Sequence, residues 1–238
     1  MIRKEEVTCL IPARYDSSRL PGKLLSSLGT KTVLETVYWA AVNSGLFSSV
    51  IIASGDKKIS DYCKSQKLSF LECFGNFESG SERIIWAAKK LKINGWIVNL
   101  QGDQPFITNE DFKNLLSKHD SQSVTTLIVP IPNGINDGPV RATVNSKGEI
   151  VSFSRARIPS GHSSFHVNTH VGIYLYPEPV WQQKNIFHDC PWSIQESLEQ
   201  LNLICKGIKF LAAISNSQSI EINTYQDLEQ ARLLLGGG

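Results

Sequence analysis

The sequence predicts an α/β fold, a single domain on a mainly parallel, doubly wound sheet, and three observations predict it. Apolar, β-type runs recur at 7–11, 50–53, 69–71, 96–100, 123–129, 141–144, 171–176 and 209–213. Helical patterns alternate with the earlier runs, at 32–44, 57–66, 81–91 and 109–119, and parallel strands need such crossovers. The chain has 238 residues, 41% of them apolar, which suffices for one large core without a second domain.

The first run, 7–11, is followed by loop punctuation at Pro12 and Pro21-Gly22 and by a helix over 33–42 with apolar positions at helical spacing. The intervening loop therefore lies outside the carboxyl end of a strand, where open α/β sheets bind ligands. It carries Arg14, Arg19 and Lys23, planar forks and a point charge suited to a polyphosphate. The alternative is a solvated basic loop. Neither G-x-x-x-x-G-K-[ST] nor G-x-G-x-x-G is present. The run 96–100 leads into Gln101-Gly102-Asp103, which places Asp103 at the tip of a central strand, where it could also simply start a turn before Pro105. In Ser79-Gly80-Ser81-Glu82-Arg83, Ser79 or Ser81 suits the cap of a helix beginning at Glu82. Beyond residue 123 strands follow one another before helices near 193–206 and 225–235. That order predicts an insertion, and Gly236-Gly237-Gly238 reads as a frayed tail.

The net charge is only +2, with no basic block or aromatic-basic platform, which argues against nucleic acid and for a small anionic ligand in a local pocket. The N-terminal apolar run lacks a secretory pattern, and no stretch approaches the ~20 apolar residues that span a bilayer. The expected setting is cytoplasmic, away from a membrane. Cys9, Cys63, Cys73, Cys190 and Cys205 show no C-x-x-C spacing and read as reduced, mostly buried thiols.

The loop Ile11-Pro12-Ala13-Arg14-Tyr15-Asp16-Ser17-Ser18-Arg19-Leu20-Pro21-Gly22-Lys23 resembles the signature loop of sugar-activating nucleotidyltransferases. It is most similar to that of the 3-deoxy-manno-octulosonate (Kdo) cytidylyltransferases, or CMP-Kdo synthetases. The resemblance continues, in the family's order, through Ser79-Gly80-Ser81-Glu82-Arg83, Val98-Asn99-Leu100-Gln101-Gly102-Asp103-Gln104-Pro105, Phe153-Ser154-Arg155-Ala156-Arg157-Ile158-Pro159, His170-Val171-Gly172-Ile173-Tyr174 and Glu196-Ser197-Leu198-Glu199-Gln200-Leu201. It implies a Rossmann-like nucleotidyltransferase sheet with an inserted sugar-binding and dimerisation subdomain. The halves would be about 1–130 for CTP and about 131–222 for sugar and dimer, with 223–238 a C-terminal helix and tail.

The resemblance also implies the reaction. CMP passes from CTP to a Kdo-type 2-keto-3-deoxy sugar acid with release of pyrophosphate, for bacterial lipopolysaccharide or capsule synthesis, in a Mg²⁺-dependent homodimer. Arg14, Lys23 and Asp103 would be catalytic, and Pro12, Ala13, Arg14, Arg19, Lys23, Ser79, Arg83 and Gln101 would bind nucleotide. Arg155 or Arg157, His170, Tyr174, Glu199 and Gln200 would meet the sugar, and Asp103 and Asn223 the metal. The family's V-D-T-P-x-D-L is here Ile222-Asn223-Thr224-Tyr225-Gln226-Asp227-Leu228, so an uncharged amide replaces the second aspartate, with Glu221 or Asp227 as possible compensation. Phe77 replaces the usual His, Ser54-Gly55-Asp56 the string T-D-[DE], Arg141 the usual Lys, and Asn202 the expected Arg. These departures keep open an amino-Kdo or nonulosonate acceptor, or a non-catalytic CTP-binding homologue.

Overall fold

The computed structural model describes residues 2–131, 140–156, 158, 167–216 and 220–236. Strand β1 (Val7–Pro12) is buried along its whole length, as a strand covered on both faces must be. A ribbon of β2 (Ser27–Leu28) and β3 (Lys31–Thr32) follows, then α1 (Val33–Ser44), β4 (Ser49–Ser54), α2 (Lys57–Ser65), β5 (Phe70–Glu72), α3 (Gly80–Lys90) and β6 (Trp96–Leu100). β1 pairs in parallel with β4 and β6, and β4 with β5. The resulting order β5-β4-β1-β6 reverses direction between β1 and β6, which makes their carboxyl ends a topological switch point.

Helix starts follow local chemistry. The Thr32 side chain accepts from Glu35 N at 3.2 Å while the Glu35 carboxylate accepts from Thr32 N at 3.0 Å, a reciprocal cap for α1. Ser79 caps α3, its Oγ accepting from Glu82 N at 3.2 Å, so the helix begins at Gly80 and Ser81 is buried inside its first turn. Helices α1 and α2, with α4 (Asn109–Ser117) and α8 (Tyr225–Gly236), cover one face through Leu34, Ile59, Phe112 and Leu228. Helix α3, with α5 (Glu178–Trp181) and α7 (Gln200–Cys205), covers the other through Ile84, Trp181 and Leu201. Each such side chain contributes roughly 1.5–3 kcal/mol on burial, so the strand tips, and the loops that leave them, are firmly placed.

The second half of the sheet holds β7 (Val124–Ile131), β8 (Arg141–Val144), β9 (Glu149–Ser154), β10 (Val167–Tyr176) and β11 (Phe210–Ile214). Here the pairing is mixed. β10 runs antiparallel to both β6 and β7, with a register shift between Val171 and Tyr174. It also meets β8 through Asn168 and Thr169, so the pairings β10-β7-β11-β9-β8-β10 form a closed circuit. β9 is absent from the expected strands although Val151-Ser152-Phe153-Ser154 alternates apolar and polar residues, a strand signature only four residues long. Among the described residues no helix is long and apolar enough to cross a membrane.

Two expectations are corrected. The single helix over 193–206 is two, α6 (Pro191–Glu196) and α7, because Ser197 adopts a left-handed conformation with φ 53°. Leu198 N then bonds back to Ser193 O at 3.1 Å, and the chain reverses. That reversal brings Cys190 and Cys205 together in a disulfide, with Cα atoms 6.0 Å apart, so the five cysteines are not all reduced thiols. Cys9, Cys63 and Cys73 are free and buried, and burial pushes the Cys63 and Cys73 thiols up to about 11, which leaves them poor nucleophiles.

Candidate functional site

The loop after β1 is fastened at both ends. Ala13 N donates to Ala53 O at 3.0 Å, and Tyr15 N donates to Asp56 Oδ2 at 3.3 Å. Asp56 also caps α2 through Lys58 N at 2.9 Å. The loop closes where Gly22 N bonds to Tyr15 O at 2.9 Å. Gly22 has φ +71°, and a Cβ there would lie 3.1 Å from the Tyr15 ring, so glycine alone fits without strain. The turn delivers Lys23, whose Nζ donates to Asp103 Oδ2 at 2.5 Å and to Asn223 Oδ1 at 3.3 Å. Asp103 Oδ1 is buried with no hydrogen-bond partner. The segment bearing Asn223 is tied to the β6 tip by Ile222 N to Asp103 O at 3.0 Å.

Asp227, named as one compensation for the replaced second aspartate, is engaged as a helix cap. Its Oδ2 accepts from Asn223 N at 2.9 Å and Thr224 N at 2.7 Å, while its own N–H donates to Thr224 Oγ1 at 3.2 Å, so it caps α8. Glu221 is exposed as a residue. Its carboxyl is nevertheless held above the ordinary range, first by the protein around it and then by the Asp103 charge.

A cleft of about 150 Å³ opens between the tips of β1 and β6. Pro12, Ala13, Arg14, Lys23, Ser79, Arg83, Gln101 and Asp103 all line it. Arg19 is exposed and stands outside that lining. The Arg83 guanidinium lies 5.2 Å from the Phe77 ring centre, so Phe77, where a His was expected, supplies a stacking face. A Cβ on Gly80 would come within 3.1 Å of the Gln101 amide and 3.2 Å of Pro12 Cγ, so glycine keeps that wall open.

A second chamber of about 590 Å³ shares Glu78, Ser79, Gly80 and Gln101 with the first. A relay of side chains runs behind the shared wall. Gln101 Nε2 donates to Asn99 Oδ1 at 3.2 Å, Asn99 Nδ2 to Ser81 Oγ at 2.8 Å, and Ser81 Oγ to Glu199 Oε1 at 2.5 Å. Burial holds the Glu199 carboxyl above its ordinary range against the hydroxyls of Ser79 and Ser81, and the Glu82 charge adds to the rise.

The residues assigned to the sugar are not gathered in one place. Glu199 lines the second chamber. Gln200 Nε2 donates to the Tyr174 hydroxyl at 2.6 Å, both side chains being buried. His170 stacks between Tyr174 and Phe153, with ring centres 5.3 and 5.2 Å away, and its Nε2 meets Thr126 Oγ1 at 3.1 Å. Burial lowers its pKa to about 3, so it is a neutral ring. Arg155 faces outward, its N–H and Nε bonded to Glu196 at 3.1 and 3.2 Å. Arg157 and Pro159 lie outside the described residues.

A family model described as cytidylyltransferase matches residues 8–220. The chain belongs to the cytidylyltransferase family. It is 32% identical to the 3-deoxy-manno-octulosonate cytidylyltransferase of Coxiella burnetii (strain Dugway 5J108-111), over 95% of this chain and 98% of that one. It is 31% identical to the enzyme of the same name from Leptospira interrogans serovar Lai, over 94% of each. Among solved structures, CMP:2-keto-3-deoxy-manno-octonic acid synthetase complexed with CTP superposes with a TM-score of 0.89 at 29% identity, covering 98% of this chain and 99% of that one. For this cytidylyltransferase, sequence reasoning missed Asn99 as the link between Gln101 and Glu199, and missed Glu78, Glu82 and His188 on the second chamber. The alternation of a buried strand hides Asn99. Glu82 carried a signal only as a helix-capping acid.

Proposed function

We propose that this cytidylyltransferase transfers CMP from CTP to a Kdo-type 2-keto-3-deoxy sugar acid. The observation that carries the reading is Lys23, bonded to both Asp103 and Asn223 in a cleft that Arg14 and Arg83 also line. A triphosphate entering there meets cations on two sides. Arg14 and Lys23 hold the β and γ phosphates, with the exposed Arg19 closing on them from the loop. Ser79, Arg83 and Gln101 meet the base, which the Gly80 wall admits closely. The acceptor's anomeric oxygen gives up its proton to water and bonds to the α-phosphorus as the bond to pyrophosphate breaks, and the negative charge that moves onto the leaving group is neutralised by Arg14 and Lys23.

The partnerless Asp103 Oδ1 and the Asn223 amide oxygen form an all-oxygen set that fits a hard cation. Mg²⁺ bound there would neutralise phosphate oxygens. Asn223 brings no charge, so metal affinity is weaker than two carboxylates would give. The same reading makes the second half of the chain, about 131–222, the acceptor and homodimer half, and places the reaction in the cytoplasm. Pyrophosphate release from CTP and Mg²⁺ with Kdo as acceptor tests it. Release is expected, reduced about 10²-fold in Lys23→Ala. Equal release from the variant would remove Lys23 from the mechanism, and CTP binding without release for any sugar acid would leave only a nucleotide-binding homologue.

A further inference from the structure

Strand β6 alternates, with Val98 and Leu100 packed on one face of the sheet and Ile97 on the other, against the core that α3 covers. Asn99 and Gln101 therefore share the α3 face. Asn99 is fully buried in a strand whose other residues are all apolar, and a buried amide needs partners. Its two bonds join Gln101 to Ser81 and, through Ser81, to Glu199, and all of them run the same way. Gln101 Nε2 donates to Asn99 Oδ1, Asn99 Nδ2 to Ser81 Oγ, and Ser81 Oγ to Glu199 Oε1. An ionised carboxylate only accepts, so Glu199 sets the direction of the whole relay. The far end of the relay is equally constrained. A Cβ on Gly80 would lie 3.1 Å from both amide atoms of Gln101, and one on Gly172 would lie 3.1 Å from its Cγ. The Gln101 side chain thus runs between two glycines, with its nitrogen bonded to Asn99, and the group it presents to the cleft is the acceptor Oε1.

We infer, resting on the reading that sets the base against Gly80, that Asn99 and Ser81 are positioning residues for base selection. They hold the Gln101 amide with Oε1 toward the base, where it accepts from the exocyclic amine of cytosine and repels the carbonyl oxygen that uracil has in the same place. Neither Asn99 nor Ser81 lines the cleft, and both are wholly buried. Each acts through the amide that it orients.

Calorimetric titration with CTP and with UTP, in Mg²⁺ and without acceptor, reads this selection apart from turnover. The protein should bind CTP about tenfold or more tightly than UTP, the difference between a hydrogen bond made and two acceptors set against each other. In Asn99→Leu, close in volume, the amide loses its anchor and the ratio should fall at least about fivefold. Glu199→Gln turns the relay round. The place of Oε2 offers no partner, so the introduced amide nitrogen faces Ser81 and donates to it. Ser81 then donates to Asn99 and Asn99 to Gln101 Oε1, which leaves Gln101 Nε2 toward the base. That variant should bind UTP more tightly than the unaltered protein does, a gain that damage to the fold does not produce. Equal affinity for the two nucleotides in the unaltered protein, or a ratio unchanged in Glu199→Gln, overturns the inference. If Asn99→Leu fails to fold, Glu199→Gln alone decides. The expected ratios without pyrophosphate release for any sugar acid would remove the transfer reading and leave the inference, whereas release with Kdo and an unchanged ratio would do the reverse.

Discussion

The cleft at the tips of β1 and β6 and the chamber beside it share a wall, yet they are built in different ways. In the cleft, Arg14 and Asp103 follow the ends of parallel strands within three residues, Lys23 is brought back by the turn at Gly22, and backbone bonds such as Ala13 N to Ala53 O fix the loop. In the chamber, Glu82 comes from the first turn of α3, Glu199 from the bend between α6 and α7, and His188 from the segment before α6. A network of side chains and one disulfide holds them. Groups at strand tips are legible from their position in the sheet, whereas Glu199 is reached only through the resemblance and His188 is not reached at all.

Substitutions should separate the two regions. The largest effect belongs to Asp103→Asn, which keeps shape and removes charge. Turnover should fall about 10²–10³-fold with a much smaller change in CTP affinity, and a loss under tenfold would break the assignment of the cleft. On the other side, Cys205→Ser opens a disulfide between residues 15 apart. It should lower unfolding stability by about 3 kcal/mol and raise the acceptor KM while CTP binding holds. An unchanged denaturation midpoint would show that the α6–α7 packing needs no covalent link.

His170 offers a pH test of the stack behind the chamber. Its folded pKa is lowered to about 3 from 6.5, so below pH 6.5 the unfolded chain binds the proton first. The histidine's contribution is therefore complete above pH 6.5 and is lost progressively down to about 3. Between pH 7 and 5 that amounts to about 2 kcal/mol. Urea titrations of His170→Gln should show a correspondingly smaller loss, and an identical slope would mean that the ring is not buried neutral. The smallest effect is a gain. Asn223→Asp adds a charge beside Asp103 and should lower the Mg²⁺ concentration for half-maximal turnover several-fold, whereas no shift would place residue 223 outside the metal's reach.

The sequence by itself determined the parallel half of the sheet and the cleft at its edge. Alternation of buried strands with capped helices, and the glycine that lets Lys23 turn inward, are local properties that a single stretch of chain carries. The tertiary structure decided the rest. It broke the helix over 193–206 at Ser197, joined Cys190 to Cys205, used Asp227 as a cap, and set Arg155 against Glu196 instead of beside Glu199. Each of these depends on which distant side chain arrives at hydrogen-bonding distance. That is fixed by how β10 and its neighbours close on themselves, a long-range pairing that leaves no period in the sequence.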